Sequence, residues 1–100
     1  MIELKKKVVV VSGGSKGLGL SICGNLLSEG YCVATFSRKS TPELEKVVKE
    51  HNGKIYWESV DISNSTQLSQ YLQNVRTQFG RVGYLVNSAG VASEGLLTLM

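Results

Sequence analysis

The residues of this sequence whose types and spacing could do chemistry begin with Ser12-Gly13-Gly14-Ser15-Lys16-Gly17-Leu18-Gly19. Gly13, Gly17 and Gly19 give the spacing G-x-x-x-G-x-G. Before them stand four β-branched residues, Val8 to Val11, which read as a strand buried on both faces. After them Leu18, Ile22 and Leu26, with Cys23 and Leu27 beside them, repeat with a helical period. A strand, a tight glycine turn and a helix together aim backbone N–H groups and the positive end of a helix dipole at an anion. The chemistry implied is the holding of a phosphate-bearing ligand. Gly13 suits the turn out of the strand, where positive φ costs glycine little. Gly17 would let the backbone approach a pyrophosphate, and Gly19 would let the helix pack closely on the strand. The turn is not a P-loop, because counting from Gly14 puts Leu20 where that motif needs its lysine. A glycine-rich connection with no ligand is the alternative reading.

The elements that must position this turn are legible in order. A glycine stop at Gly30 ends the first helix. Tyr31 to Phe36 forms a second strand, leading into Ser37-Arg38-Lys39. Ser40 or Thr41 caps a second helix, with Pro42 and Glu43 in its first turn and an inner stripe of Leu44, Val47 and Val48. Asn52-Gly53 stops it. Lys54 to Val60 is a third strand, running into Asp61-Ile62. Ser63 or Asn64 caps a third helix carrying Leu68, Leu72, Val75 and Phe79, which Gly80 closes. Val82 to Val86 is a fourth strand, ending in Asn87-Ser88-Ala89-Gly90. Strands separated by helices predict parallel pairing with right-handed crossovers, hence an open α/β sheet in the order 3-2-1-4. In such sheets ligands lie at the carboxyl ends of the strands, beside the point where strand order reverses. The glycine turn and Asn87 to Gly90 both arrive there.

The 100 residues bound one small domain. A net charge of +3 suits an anionic small ligand, and no stripe of aromatic and basic residues supports nucleic acid. Lys5-Lys6-Lys7 reads as a solvated lead-in to the first strand. Cys23 and Cys32 sit in no C-x-x-C or Cys/His cluster, so neither a metal site nor a redox dithiol is expected. No segment has the length of a membrane span, and the amino terminus lacks the apolar run of a signal peptide. A cytoplasmic protein is the expectation. His51, beside Asn52-Gly53, is expected to be exposed and is given no catalytic role.

The end of the second strand chooses the ligand further. An Asp or Glu there would bond free ribose hydroxyls and repel a 2′-phosphate. This chain has Ser37-Arg38, with Lys16 in the glycine turn. A guanidinium beside a hydroxyl can hold a phosphate through charge-assisted hydrogen bonds, which favours NADP over NAD. The alternative is a solvated basic turn. Asp61 could accept from the adenine amino group, with Ile62 covering the base; equally, Asp61 could help cap the third helix. Asn87 could tie neighbouring loops together or serve as a plain turn residue.

With Ser12-Gly13-x-x-x-Gly17-x-Gly19, Asp61-Ile62 and Asn87-Ser88-Ala89-Gly90 in this order, the chain resembles the short-chain dehydrogenase/reductase family. It is most similar to reductases like 3-oxoacyl-carrier-protein reductase. Ser12 and Ser88 replace that family's usual Thr and second Asn. The resemblance implies a Rossmann-type, doubly wound parallel sheet, incomplete here relative to the family, with residues 1–100 as the cofactor-binding part of one domain. It implies that Gly13, Ser15, Lys16, Gly17, Leu18 and Gly19 take the cofactor pyrophosphate. Asp61 and Ile62 would take the adenine, and Asn87, Ala89 and Gly90 the ribose side; Lys16 and Arg38 match its NADP-preferring members. The implied reaction is carbonyl reduction or alcohol oxidation on a small molecule, in a protein that forms a homo-oligomer when complete. The family's catalytic Ser, Tyr and Lys lie in a part not present here. The residues four after Tyr31, Tyr56, Tyr71 and Tyr84 are Thr35, Val60, Val75 and Ser88, so no Tyr-x-x-x-Lys occurs. A non-catalytic NADP(H)-binding module or an inactive fragment is the alternative. With the fourth strand as an open apolar edge, the isolated chain is expected to be marginally stable and sticky.

Overall fold

A computed structural model describes residues 7–15 and 17–87. Strand and helix alternate as β1 (Val8–Ser12), α1 (Gly17–Ser28), β2 (Cys32–Ser37), α2 (Pro42–Glu50), β3 (Ile55–Ser59), α3 (Ser65–Phe79) and β4 (Val82–Asn87). The four strands form one sheet in the order β3-β2-β1-β4, and every pairing is parallel. Helical connections between sequential strands dictate this, since a parallel neighbour cannot be reached by a tight turn. β1 is central: Val8 to Ser12 runs in register with Cys32 to Phe36 on one side, and Ser12 lies opposite Asn87 on the other.

The central position explains the run of four valines. Their side chains alternate between the two faces, and none is more than 2% exposed. Val9 and Val11 join Val33, Ile55, Cys23, Leu27 and Leu44 in a layer under α1 and α2. Val8 and Val10 join Ala34, Phe36, Leu68, Tyr71 and Val75 in a layer under α3.

The helix signals act largely as the sequence reads. Thr41 caps α2, its hydroxyl accepting from Leu44 N–H at 3.1 Å, and Pro42 follows in the first turn. Asn64 caps α3, accepting from Gln67 N–H at 3.1 Å. Gly30, Gly53 and Gly80 all have positive φ at helix exits or turns. Two expectations need correction. In α1 the face laid on the sheet is Gly19, Cys23 and Leu27, while Leu18 is 71% exposed. Leu20, Ile22 and Leu26 pack beside that face, whereas Leu18 shares the exposed stripe of Ser21, Asn25 and Ser28. His51 is half-buried at the end of α2, its Nδ1 lying 3.1 Å from the Val47 carbonyl oxygen.

Among the described residues β4 pairs with β1 alone, and Tyr84 on it is half-exposed. Lys7 reaches across to this strand, donating to the Tyr84 hydroxyl at 3.2 Å. Lys5 and Lys6 lie outside the described residues.

Candidate coenzyme site

The turn between β1 and α1 is pinned at three successive residues. Gly13 N–H donates to the Phe36 carbonyl at 3.0 Å, and Gly14 N–H donates to Thr35 Oγ1 at 3.0 Å. The Thr41 hydroxyl donates to the Ser15 carbonyl. Thr35 is fully buried and passes its own proton to the Val11 carbonyl at 2.6 Å. Each partner belongs to β2, to the start of α2 or to β1 itself. The turn is therefore fixed to the strand next door and to the helix that follows it.

Three glycines are required here, two by backbone conformation and one by packing. Gly13 and Gly17 have φ of 71° and 59°, a region that L side chains rarely adopt. A Cβ on Gly17 would meet nothing within 4 Å among the described residues. Gly14 is required by packing: a Cβ there would stand 2.1 Å from Thr35 Oγ1 and 2.9 Å from Cys23 Sγ. Burial holds the Cys23 thiol up, to about 11, so it is an inert packing group. Gly19, assigned to close packing, is buried on α1.

Facing the turn is the loop from β2 to α2. Together they enclose an open depression of about 550 Å³, lined by Gly13, Ser15 and the run Ser37 to Thr41. It lies at the carboxyl ends of β1 and β2, where open parallel sheets bind ligands. Arg38 and Lys39 are exposed at its rim. The Ser37 hydroxyl is less available than its position suggests. It donates to the Lys39 carbonyl at 2.9 Å and accepts from Trp57 Nε1 at 2.8 Å, so its one proton is committed within the loop.

Asp61 and Ile62 follow β3 and do not line this depression. Asp61 Oδ1 accepts from the Ser63 hydroxyl at 2.7 Å and from Ser63 N–H at 3.0 Å, a turn that leads into α3. Those two bonds, the hydroxyl first, hold its carboxyl below the usual carboxylate range; the Arg38 guanidinium adds to them. Arg38 approaches Asp61 Oδ1 at 3.4 Å, with side chains 75% and 43% exposed. A pair so long and so exposed is a weak, solvent-screened tie, which leaves the guanidinium able to meet an anion. Ile62 is half-buried against the α3 layer.

The structure thus brings Gly13, Ser15, Ser37 and Arg38 to one depression. Gly17, Leu18 and Gly19 lie on the first turn of α1, Asp61 reaches Arg38 from β3, and the Asn87 backbone ends β4 opposite Ser12. Lys16, Ala89 and Gly90 lie outside the described residues. Sequence reading missed Gly14, Thr35, Ser40 and Thr41 as parts of the site or its support. The available signals were the doubled glycine and a lone hydroxyl in an otherwise apolar strand. Among the described residues there is no cluster of three or more His, Cys, Asp or Glu suited to a metal, and no helix long and apolar enough to cross a membrane.

The residues present fit a nicotinamide dinucleotide. The amino terminus of α1, reached through a glycine turn, and the cation-rimmed depression beside it suit an anionic chain. Known proteins similar to this chain are dehydrogenases and other oxidoreductases. The sorbitol-6-phosphate 2-dehydrogenase of Klebsiella pneumoniae is 36% identical over 98 residues, covering 96% of this chain and 34% of that protein. An uncharacterized oxidoreductase of Staphylococcus saprophyticus is 31% identical over 101 residues, covering 98% and 43%. A double mutant of a Serratia marcescens short-chain dehydrogenase/reductase superposes with a TM-score of 0.76 at 34% identity, covering 88% of this chain and 37% of that one. The chain spans between about a third and two fifths of the length of these curated relatives. The family model for short chain dehydrogenases matches residues 7–99. With the parallel 3-2-1-4 sheet and the glycine turn in place, this match shows that the chain belongs to the short-chain dehydrogenase family.

Proposed function

We propose that residues 1–100 form the coenzyme-holding part of a single NAD(P)-binding domain, in an oxidoreductase that interconverts a small carbonyl compound and an alcohol. We further assign NADP(H), rather than NAD(H), as its coenzyme. The observation that carries the reading is the single depression shared by the glycine turn and the Arg38–Lys39 loop. The turn leads into the amino terminus of α1, whose dipole suits a phosphate, and the loop offers two cations, so a dinucleotide carrying a 2′-phosphate would engage both.

Gly13, Ser15, Lys16, Gly17, Leu18 and Gly19 would receive the pyrophosphate. Arg38 would leave its weak contact with Asp61 for the 2′-phosphate, with Lys39 adding charge beside it. Asp61 and Ile62 would meet the adenine, and Asn87, Ala89 and Gly90 would border the nicotinamide-side ribose. When bound, the coenzyme supplies or accepts the hydride. This chain's own part is to bind and orient it. The 3-oxoacyl-carrier-protein reductases are the branch whose motifs it resembles most. Homo-oligomeric assembly of the complete protein is carried over from the same resemblance, and a cytoplasmic location is proposed from the sequence pattern.

Trp57, the single tryptophan, is hydrogen-bonded to Ser37 and so reports on the site. Titrating the chain with NADPH and NADH should quench its fluorescence at lower NADPH concentration. Arg38→Asp should weaken NADPH roughly 10- to 150-fold, the range of a charged hydrogen-bond contact, and leave NADH nearly unchanged. Equal losses for both coenzymes would remove the 2′-phosphate assignment.

A further inference from the structure

We propose that Thr41 is a specificity-determining positioning residue, which sets the distance between the phosphate-holding turn and the cation-bearing loop. The inference rests on the NADP(H) reading above. A threonine hydroxyl has one proton and two lone pairs. Here the proton goes to the Ser15 carbonyl, and a lone pair receives Leu44 N–H at 3.1 Å. One oxygen therefore joins the glycine turn, 26 residues earlier in the chain, to the first turn of α2.

The consequence follows from what lies on each side. The turn is held at its start by Phe36 and Thr35, both near the end of β2. The Arg38–Lys39 loop is held at its start by β2 and at its end by α2. Without Thr41, turn and loop share, among the described residues, the β2 attachment alone, and the far wall of the depression is untied. With Thr41, the wall is closed at both ends. NADH needs only the turn and the adenine-side contacts. NADPH must satisfy turn and cations at once, so only NADPH depends on their spacing. Thr41 lines the depression, yet its proton is spent on Ser15. Its effect on the ligand is therefore exerted through the backbone it holds.

The test measures NADPH and NADH affinities of the full chain by Trp57 fluorescence, for wild type, Thr41→Ser, Thr41→Val and Thr41→Gly. Thr41→Ser keeps both hydrogen bonds and should keep the wild-type affinity ratio. Thr41→Val and Thr41→Gly should lower the NADPH-to-NADH ratio by about two- to tenfold, the worth of one intramolecular hydrogen bond. Glycine is a good N-cap, so Thr41→Gly costs the start of α2 little and separates the tie to Ser15 from the cap. Parallel losses for the two coenzymes, or an unchanged ratio, would overturn the inference while leaving the NADP(H) reading intact. A wild-type chain that binds neither coenzyme, or binds both alike, would overturn both. Hydrogen exchange on the unmutated chain gives an independent check. NADPH should slow exchange of the Leu44 amide more than NADH does at equal saturation, and equal protection counts against Thr41.

Discussion

Gly14→Ala isolates the tightest contact in the site. Its φ is not positive, so alanine suffers no backbone penalty there. The cost is steric. The new methyl would stand 2.1 Å from Thr35 Oγ1 and 2.9 Å from both Thr35 Cβ and Cys23 Sγ. Thr35 cannot swing aside freely, because its hydroxyl is fully buried and holds Gly14 N–H and the Val11 carbonyl. Forcing a methyl into a packed interior costs about 1–3 kcal/mol. Losing the buried hydroxyl's partners adds about 1–3 kcal/mol more. Urea unfolding followed by circular dichroism should therefore show Gly14→Ala destabilised by about 2–6 kcal/mol. Gly17→Ala should lose only the roughly 1–2 kcal/mol of a left-handed L residue, since nothing lies within 4 Å of its Cβ. Adding Thr35→Ala to Gly14→Ala removes the 2.1 Å clash, so the double variant should lose less than the sum of the two singles. A Gly14→Ala protein within about 1 kcal/mol of wild type, or strictly additive losses, would refute this packing argument.

Other consequences can be measured on the same chain. The Tyr71 hydroxyl is buried with no hydrogen-bond partner among the described residues, so Tyr71→Phe should be neutral or stabilising by up to about 2 kcal/mol in urea unfolding. Gly24 sits inside α1 with nothing within 4 Å of a Cβ, and Gly24→Ala should stabilise by about 0.5–1 kcal/mol in the same assay. The Cys23 thiol rises from an ordinary 9.0 to about 11 on folding, chiefly through burial. The folded state thus keeps its proton longer than the unfolded chain, and this contribution is complete below pH 9. It should be lost between pH 9 and 11, on the order of 2 kcal/mol, and be missing from the urea-midpoint profile of Cys23→Ala.

The sheet order was legible because four apolar runs alternate with three capped, periodic helices, and such a pattern leaves few topologies open. The position of the site followed from the glycine spacing and the strand ends. What could not be read was which atoms meet across elements. G-x-x-x-G-x-G directs attention to Gly13, Gly17 and Gly19, whereas the glycine with no room for a side chain is Gly14. That requirement arises only when Thr35 and Cys23, from two other elements, converge on it. Leu18 keeps a helical period with Ile22 and Leu26, yet it also stands three residues before Ser21, on the exposed polar stripe that Asn25 and Ser28 continue. Ser37 sits where a ribose-phosphate contact belongs, but its proton is directed to Lys39 by the local turn. The tie from Thr41 to Ser15 joins residues 26 apart and leaves no trace in either local pattern.

The most direct test of the coenzyme assignment is a crystal structure of the chain grown with NADP⁺. The account predicts the 2′-phosphate between Arg38 and Lys39, with the Arg38 guanidinium withdrawn from Asp61 and the pyrophosphate over Gly13 to Gly19. Density for the coenzyme elsewhere, or an adenosine ribose held by Asp61 with Arg38 still paired to it, would contradict it.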